Sequence, residues 1–425
     1  VTTLPALDEP MTETRAPWAD RDGVRITRVR PIVTAPEGVA LVVVRIETSE
    51  AGLVGYGCAT FAQQYAAVAR LVVHLAPLIV GRSPADRGDI ARMLHHSGYW
   101  RDGPVGNSAI SGIDQALWDL AGKRAGMPVY ELLGGRVRDS APIYLHAGGD
   151  TIEETLDEAR AILSSGVRHV RIQSRQPGFG SYGTPRRGGG YPGTPNPDGW
   201  DPRHYLRATP ELFRRAREEL GGDVELLHDV HSRLSVREAR TLADDLAFAR
   251  PYFLEDPVPP DQYDRLPELG ASSPVPIAVG ELFTSATAAA GAVRRGGIDF
   301  LRVHVSAIGG LTPAVRLNAL CELEGVRTAW HAPADVSPFG AAANVALDVS
   351  STAFGIQEGH VYPDQVLDVF PGTLQPAAGF LAPSPEPGWG IGLDERAAAR
   401  HEPQPYAHER WAAQVRRPDG FLESP

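Results

Sequence analysis

The chain has 425 residues, 22% of them charged and 43% hydrophobic, with a formal net charge of −11. That length exceeds one compact core and predicts two domains or a barrel with additions. An acidic balance excludes a nucleic-acid binder, which needs a basic face for phosphates, and no apolar run reaches the ~18 residues that would cross a bilayer. Residues 1–22 are polar and contain proline, without a basic start followed by an apolar core, so they read as a flexible leader and not as a signal peptide. Cys58 and Cys321 are far apart and lack metal-ligand spacing. Both are expected as packed, reduced thiols in a cytoplasmic protein.

From Val24 the stretches VRITRVRPIVTA and VALVVVRIETSEAGLVGYG predict strands, the second folded at Ala51-Gly52. Helical segments follow, ending in NSAISGIDQALWDLAGKRAGMPVYELLGG. There Ile110, Ile113, Leu117, Leu120 and Ala121 share a face, and Gly126 with Pro128 stops the helix. Residues 23–139 are therefore expected as an α+β capping domain.

The texture then changes. PIYLHA, HVRIQS, VELLHD, YFLED, PIAVGE, FLRVHV, RTAWHA and FGIQE are eight strand candidates, most of them separated by helical sequence. Eight parallel strands close a barrel. The competing doubly wound sheet would carry a Gly-rich phosphate loop after its first strand, and none follows YLHA. The barrel is placed at residues 140–372, with 373–425 returning to the capping domain. A Gly- and Pro-rich stretch, RQPGFGSYGTPRRGGGYPGTPNPDGWDPRH, interrupts it after the second strand and is expected as a functional lid or a disordered segment.

Asp229, Glu255 and Glu281 each end a strand candidate, and both intervals are 26 residues (255 − 229 and 281 − 255). One strand, loop and helix fill that length in a βα repeat, so all three carboxylates face one mouth. Three like charges there repel, and a hard divalent cation, Mg²⁺, resolves the conflict. His231 lies two residues past Asp229, on the same side of an extended strand, and its ordinary pKa suits a proton donor. His146, Arg302, His331 and Glu358 end the first, sixth, seventh and eighth strand candidates, and Asp335 follows His331 by four residues. Trp389, in the tail, is a candidate roof for the pocket.

These motifs resemble the enolase superfamily over nearly the whole chain, from about Val24 to Trp411. HDVHSRL, FLEDP, VGE, RVHVSAIGG, WHAPADVSP and FGIQE resemble its mannonate dehydratase subgroup. The resemblance implies a modified TIM barrel of (β/α)7β type with an N-terminal α+β cap, and one Mg²⁺ per subunit on Asp229, Glu255 and Glu281. It implies substrate contacts from His146, Arg302, His331, Asp335 and Glu358. Many superfamily members use a lysine base on the second barrel strand; here that strand reads HVRIQS, and the chain's single lysine is Lys123. The subgroup's base is instead a tyrosine helped by the strand's arginine, roles that fall on Tyr182 and Arg171, with His231 as the acid. A guanidinium beside a phenol lowers its pKa and makes it a usable base.

The implied activity is Mg-dependent dehydration of an acid sugar, D-mannonate or D-gluconate, to 2-keto-3-deoxy-D-gluconate, by a homo-oligomer. The alternatives are a catalytically weak sugar-acid-binding homologue with a sensing role, and a racemase or epimerase on the same fold. Ala332 stands where the subgroup commonly has glycine, a departure that touches substrate recognition and not the metal site.

Overall fold

The computed structural model describes residues 23–176, 199–404 and 417–421. The loop expected to hold Tyr182 lies outside the described residues.

The chain begins with an antiparallel sheet, β1 (Ile26–Thr34), β2 (Leu41–Thr48) and β3 (Val54–Cys58), in that order. The turn between β2 and β3 passes through Gly52 at φ 81°, a left-handed conformation that glycine adopts without a Cβ penalty. Three helices pack on one face of this sheet: α1 (Tyr65–Leu75), α2 (Arg87–His96) and α3 (Pro104–Ala125). Ile113, Leu117 and Leu120 of α3 join Val42, Val44 and Ile46 of β2 in one core. Gly57 and Gly112 let β3 and α3 approach: a Cβ on Gly57 would lie 2.3 Å from the Gly112 carbonyl oxygen. Gly126 ends α3 in the left-handed conformation.

Eight parallel strands follow: β4 (Ala141–Gly149), β5 (His169–Ser174), β6 (Glu225–Asp229), β7 (Phe253–Glu255), β8 (Ile277–Val279), β9 (Phe300–Leu301), β10 (Arg327–Thr328) and β11 (Gln357–Glu358). Their order is β10-β9-β8-β7-β6-β5-β4-β11. A parallel bridge from Thr328 to Phe354 joins the two ends and closes the ring. Inside it, Tyr144, Leu227, Phe253, Ala278, Phe300, Ala329 and Ile356 form a buried plug. The alternate strand residues, such as Val170, Ile172, Leu226 and Leu254, pack outward against the helices. The last three strands are only two residues long, shorter than the sequence runs suggest. Inter-strand hydrogen bonds continue past the strand ends, from the Arg302 N–H to Val279 O at 2.9 Å and from the His331 N–H to Val303 O at 3.2 Å, and place both residues at the mouth.

The tail returns to the first unit. A short strand, β12 (Phe380–Leu381), pairs antiparallel with β4. Glu395 pairs with Arg30 at 2.6 Å and with Arg45, and the Thr34 hydroxyl donates to Ala398 O at 2.9 Å. No helix among the described residues is long and apolar enough to cross a membrane. Cys58 and Cys321 are both free and buried.

Candidate active site

The plug floors a mouth walled by ionisable side chains from all eight strands or their C-terminal ends. Asp229 and Glu255 are register partners on β6 and β7 and are both fully buried. Glu281 follows β8 by two residues. It is the meeting point: its ligand atom lies within 4.8 Å of those of Asp229 and His231, and in a second grouping within 4.8 Å of those of Glu255 and Asp256. The three acids read from spacing are thus brought together, with Asp256 added.

Two arginines divide the negative charge. Arg171, 3% exposed, reaches up from β5 with Nη1 donating to Asp229 Oδ2 at 2.8 Å and to Glu255 Oε1 at 3.2 Å. Its Nη2 lies 3.3 Å from His146 Nδ1. Arg302, fully buried, places Nη2 2.8 Å from both Glu255 Oε1 and Glu358 Oε2, and Nη1 3.4 Å from Glu281 Oε2. Its Nε and Nη2 also donate to the Tyr144 hydroxyl at 3.2 and 3.1 Å. Sequence reasoning assigned this guanidinium to a substrate carboxylate. In a mouth this rich in acids, its partners in the structure are carboxylates of the chain itself.

The histidines sit around this core. His146 Nε2 is 2.9 Å from Glu358 Oε1, and His331 Nε2 is 3.3 Å from Glu281 Oε2. His304 Nδ1 meets His331 Nδ1 at 3.0 Å, and Asp335 completes a cluster with that pair. His231 reaches Asp229 by a different route from the expected strand alternation. β6 ends at Asp229, and His231 and Ser232 adopt φ of 52° and 58°. This turn folds the ring back until Nε2 is 2.7 Å from Asp229 Oδ2, while the His231 N–H donates to Asp229 Oδ1 at 2.7 Å. Non-glycine residues in this conformation are held at a cost by their surroundings. Trp389 makes its hydrogen bonds to the capping unit: its indole N–H donates to Tyr56 O and its backbone N–H to Asp119 Oδ1, each at 2.9 Å.

Protonation follows the division of charge. Burial pushes Glu255 well above the usual carboxylate range, against the pull of Arg302. Burial, reinforced by Glu281, raises Asp256 to about 8. Burial also works against ionising Asp229, but His231 and Arg171 hold it below the usual range. At Glu281 burial is outweighed by the His331 contact, which brings it down to about 2. Glu358 is likewise held low, against burial, by Arg302 and His331. His146 is lowered to about 4 by burial and by Arg171.

Five carboxylates (Asp229, Glu255, Asp256, Glu281, Glu358) therefore face two guanidiniums (Arg171, Arg302). Asp256 Oδ2 is buried without a hydrogen-bond partner. This oxygen-rich set with excess negative charge fits a hard divalent cation. Asp256, Tyr144 and His304 were missed in the sequence. His304 was within reach, since it follows Arg302 by two residues, the same offset that singled out His231.

A capped, acid-mouthed barrel of this kind is the architecture of the enolase superfamily. The family model described as Enolase C-terminal domain-like matches residues 154–397, and the Mandelate racemase / muconate lactonizing enzyme N-terminal domain matches residues 23–134. Among curated relatives, a D-galactonate dehydratase family member from Catenulispora acidiphila is 60% identical over 98% of this chain and 97% of its own length. RspA of Pantoea ananatis, a member of the same family, is 43% identical over 94% of this chain and 99% of its own. The chain belongs to the D-galactonate dehydratase family of the enolase superfamily and is an enzyme of the hydro-lyase class. A crystal structure of an enolase from Pantoea ananatis with bound D-gluconate and Mg superposes with a TM-score of 0.87 at 41% identity, covering 95% of this chain and 100% of that one.

Proposed function

We propose that this enzyme dehydrates D-gluconate or its C2 epimer D-mannonate to 2-keto-3-deoxy-D-gluconate. The observation that carries the reading is the convergence of Asp229, Glu255 and Glu281 in one mouth, with Arg171 and His231 both on Asp229. The gluconate bound by the Pantoea structure supports the substrate class.

Asp229, Glu255 and Glu281 would hold one Mg²⁺. When bound, the ion supplies positive charge to the substrate's carboxylate oxygens, where negative charge grows as the neighbouring proton leaves. Tyr182 takes the C2 proton on its phenolate oxygen, and the guanidinium of Arg171, which reaches into the mouth from β5, favours that phenolate. His231 gives a proton to the departing C3 hydroxyl, so water and not hydroxide leaves. A racemase needs no such donor. His146, His331, Asp335 and Glu358 supply donors and acceptors for the substrate's carboxylate and hydroxyls, and Arg302, buried among Glu255, Glu281 and Glu358, holds those acids in place; Trp389 holds the returning tail against the cap. Gluconate and mannonate present the C2 proton on opposite faces. β5, with Arg171, and β10, which leads to His331, stand three steps apart round the ring, and His331 is the candidate base for the second face.

The test is turnover of a panel of sugar acids with Mg²⁺, read by a colour assay for 2-keto-3-deoxy products. Product from gluconate or mannonate, abolished by chelator and restored by Mg²⁺, is the expected result. Inactivity on both with turnover of a different acid would replace the substrate and keep the chemistry. Racemised or epimerised acid without a keto product would replace the reaction.

A further inference from the structure

One inward-facing side chain at the level of the metal acids has no assigned work. β5 runs with Val170 and Ile172 packed outward, so Arg171 and Gln173 point inward. The β5–β6 register pairs Arg171 with Leu227, and two residues further that register sets Gln173 level with Asp229. On its other side its register partner is Gly148, which offers no side chain. The backbone before it is fixed: His228 Nδ1 lies 2.9 Å from Ile172 O, and His228 Nε2 lies 2.6 Å from the Tyr205 hydroxyl.

Gln173 is 2% exposed, and neither its Oε1 nor its Nε2 has a hydrogen-bond partner among the described residues. The contrast with another fully buried glutamine is direct. Gln115 accepts from the Cys58 N–H at 3.1 Å and donates to the Ser111 hydroxyl at 2.9 Å, satisfying both ends. An amide buried with both ends unmet is costly, and an apolar side chain of the same size would pack there without that cost. Polar groups of this kind, aimed into a ligand pocket, discriminate by hydrogen bonding and reject analogues that lack the matching group.

We propose that Gln173 contacts the substrate and determines specificity, its amide donating to and accepting from one hydroxyl of the sugar acid beside the metal carboxylates. The inference rests on the sugar-acid reading above and deepens it. An amide offers a donor and an acceptor about 2 Å apart, a match for a hydroxyl, which does both.

The experiment compares the wild type with Gln173→Leu, and with Gln173→Met as a second apolar variant should the first not fold. Three readouts are taken: the unfolding midpoint, calorimetric binding of D-gluconate with Mg²⁺, and kcat/KM over hexonic acids epimeric at C2, C4 and C5. The variant is expected to unfold at the same temperature or higher, because no internal hydrogen bond is lost. Gluconate affinity should weaken about 10- to 100-fold, and the preference between epimers should collapse at one carbon. Unchanged affinity and ranking overturn the inference. A lowered midpoint with an even loss across the panel overturns it too, since that is the signature of a structural amide. A wild type that neither binds nor converts any acid of the panel overturns this inference together with the functional reading. An active wild type with an indifferent variant overturns this inference alone.

Discussion

Two sets of buried carboxylates in this molecule, one at the junction of cap, barrel and tail and one in the barrel mouth, are satisfied in different ways. At the junction of cap, barrel and tail, each acid has its own donors. Asp119 accepts from the Tyr56 N–H at 2.9 Å, the Trp389 N–H at 2.9 Å and Lys123 Nζ at 2.6 Å. Asp114 accepts from the Thr312 N–H at 2.8 Å and the Thr312 hydroxyl at 2.5 Å. In the mouth the guanidinium donors are shared: Arg302 Nη2 serves both Glu255 and Glu358, and Arg171 Nη1 serves Asp229 and Glu255, while Glu358, Asp229 and Asp256 each also accept a backbone N–H, from Ala332, His231 and Gly280. Private donors make an acid part of the scaffold. Guanidiniums shared among five carboxylates leave more acids than cations in the mouth, an imbalance that a bound cation can answer.

The largest effect is expected at the proton-transfer groups. Tyr182→Phe removes the oxygen proposed to take the C2 proton and should lower kcat by about 10³-fold or more. His231→Asn should be comparably slow in dehydration but should still exchange the substrate C2 hydrogen with deuterated solvent, because abstraction and departure use different groups. Exchange measured by NMR separates the two. Exchange persisting in Tyr182→Phe would move the base to another residue, His331 first.

The contrast between regions predicts opposite stability effects from similar substitutions. Asp119→Ala strands two backbone N–H groups and Lys123, and should cost about 3 kcal/mol of unfolding free energy in denaturant titration. Asp256→Asn in metal-free protein removes an acid already pushed up to about 8 by burial and Glu281. It should leave stability unchanged or slightly raised, while weakening divalent-ion binding. If both substitutions destabilise equally, the distinction between private and shared donors fails.

A smaller effect concerns pH at the junction. Burial raises Asp114 from the ordinary carboxylate range to about 6, against its hydrogen bonds to Thr312. The folded state then binds the proton more tightly than the unfolded chain, so this residue's contribution is present below the unfolded pKa and declines as pH rises through about 6. Relative to Asp114→Asn, the wild type should lose ground between about pH 4 and 6. A difference in unfolding midpoint that stays flat over that window would contradict the assignment.

The sequence carried much of this because its signals were periodic. Eight apolar runs at βα spacing marked the barrel, and acids ending the third, fourth and fifth of them marked the mouth. What it did not carry depends on contacts between distant strands. Arg302 is read alone as a free cation, yet its neighbours Glu255, Glu281 and Glu358 are 47, 21 and 56 residues away (302 − 255, 302 − 281 and 358 − 302). Asp256, adjacent to a named ligand, reads as loop until its turn brings it beside Glu281. The unmet amide of Gln173 cannot be seen without the positions of all possible partners.

Asp229, Glu255 and Glu281 are proposed to form one divalent-cation site in the barrel mouth. Calorimetric titration of chelator-treated protein with Mg²⁺, wild type beside Glu281→Gln, tests it most directly. The account predicts one ion per chain for the wild type and binding weakened at least about 100-fold in the variant, because Glu281 is the residue common to both carboxylate groupings. Equal binding by the two proteins, or no binding by the wild type, would contradict it.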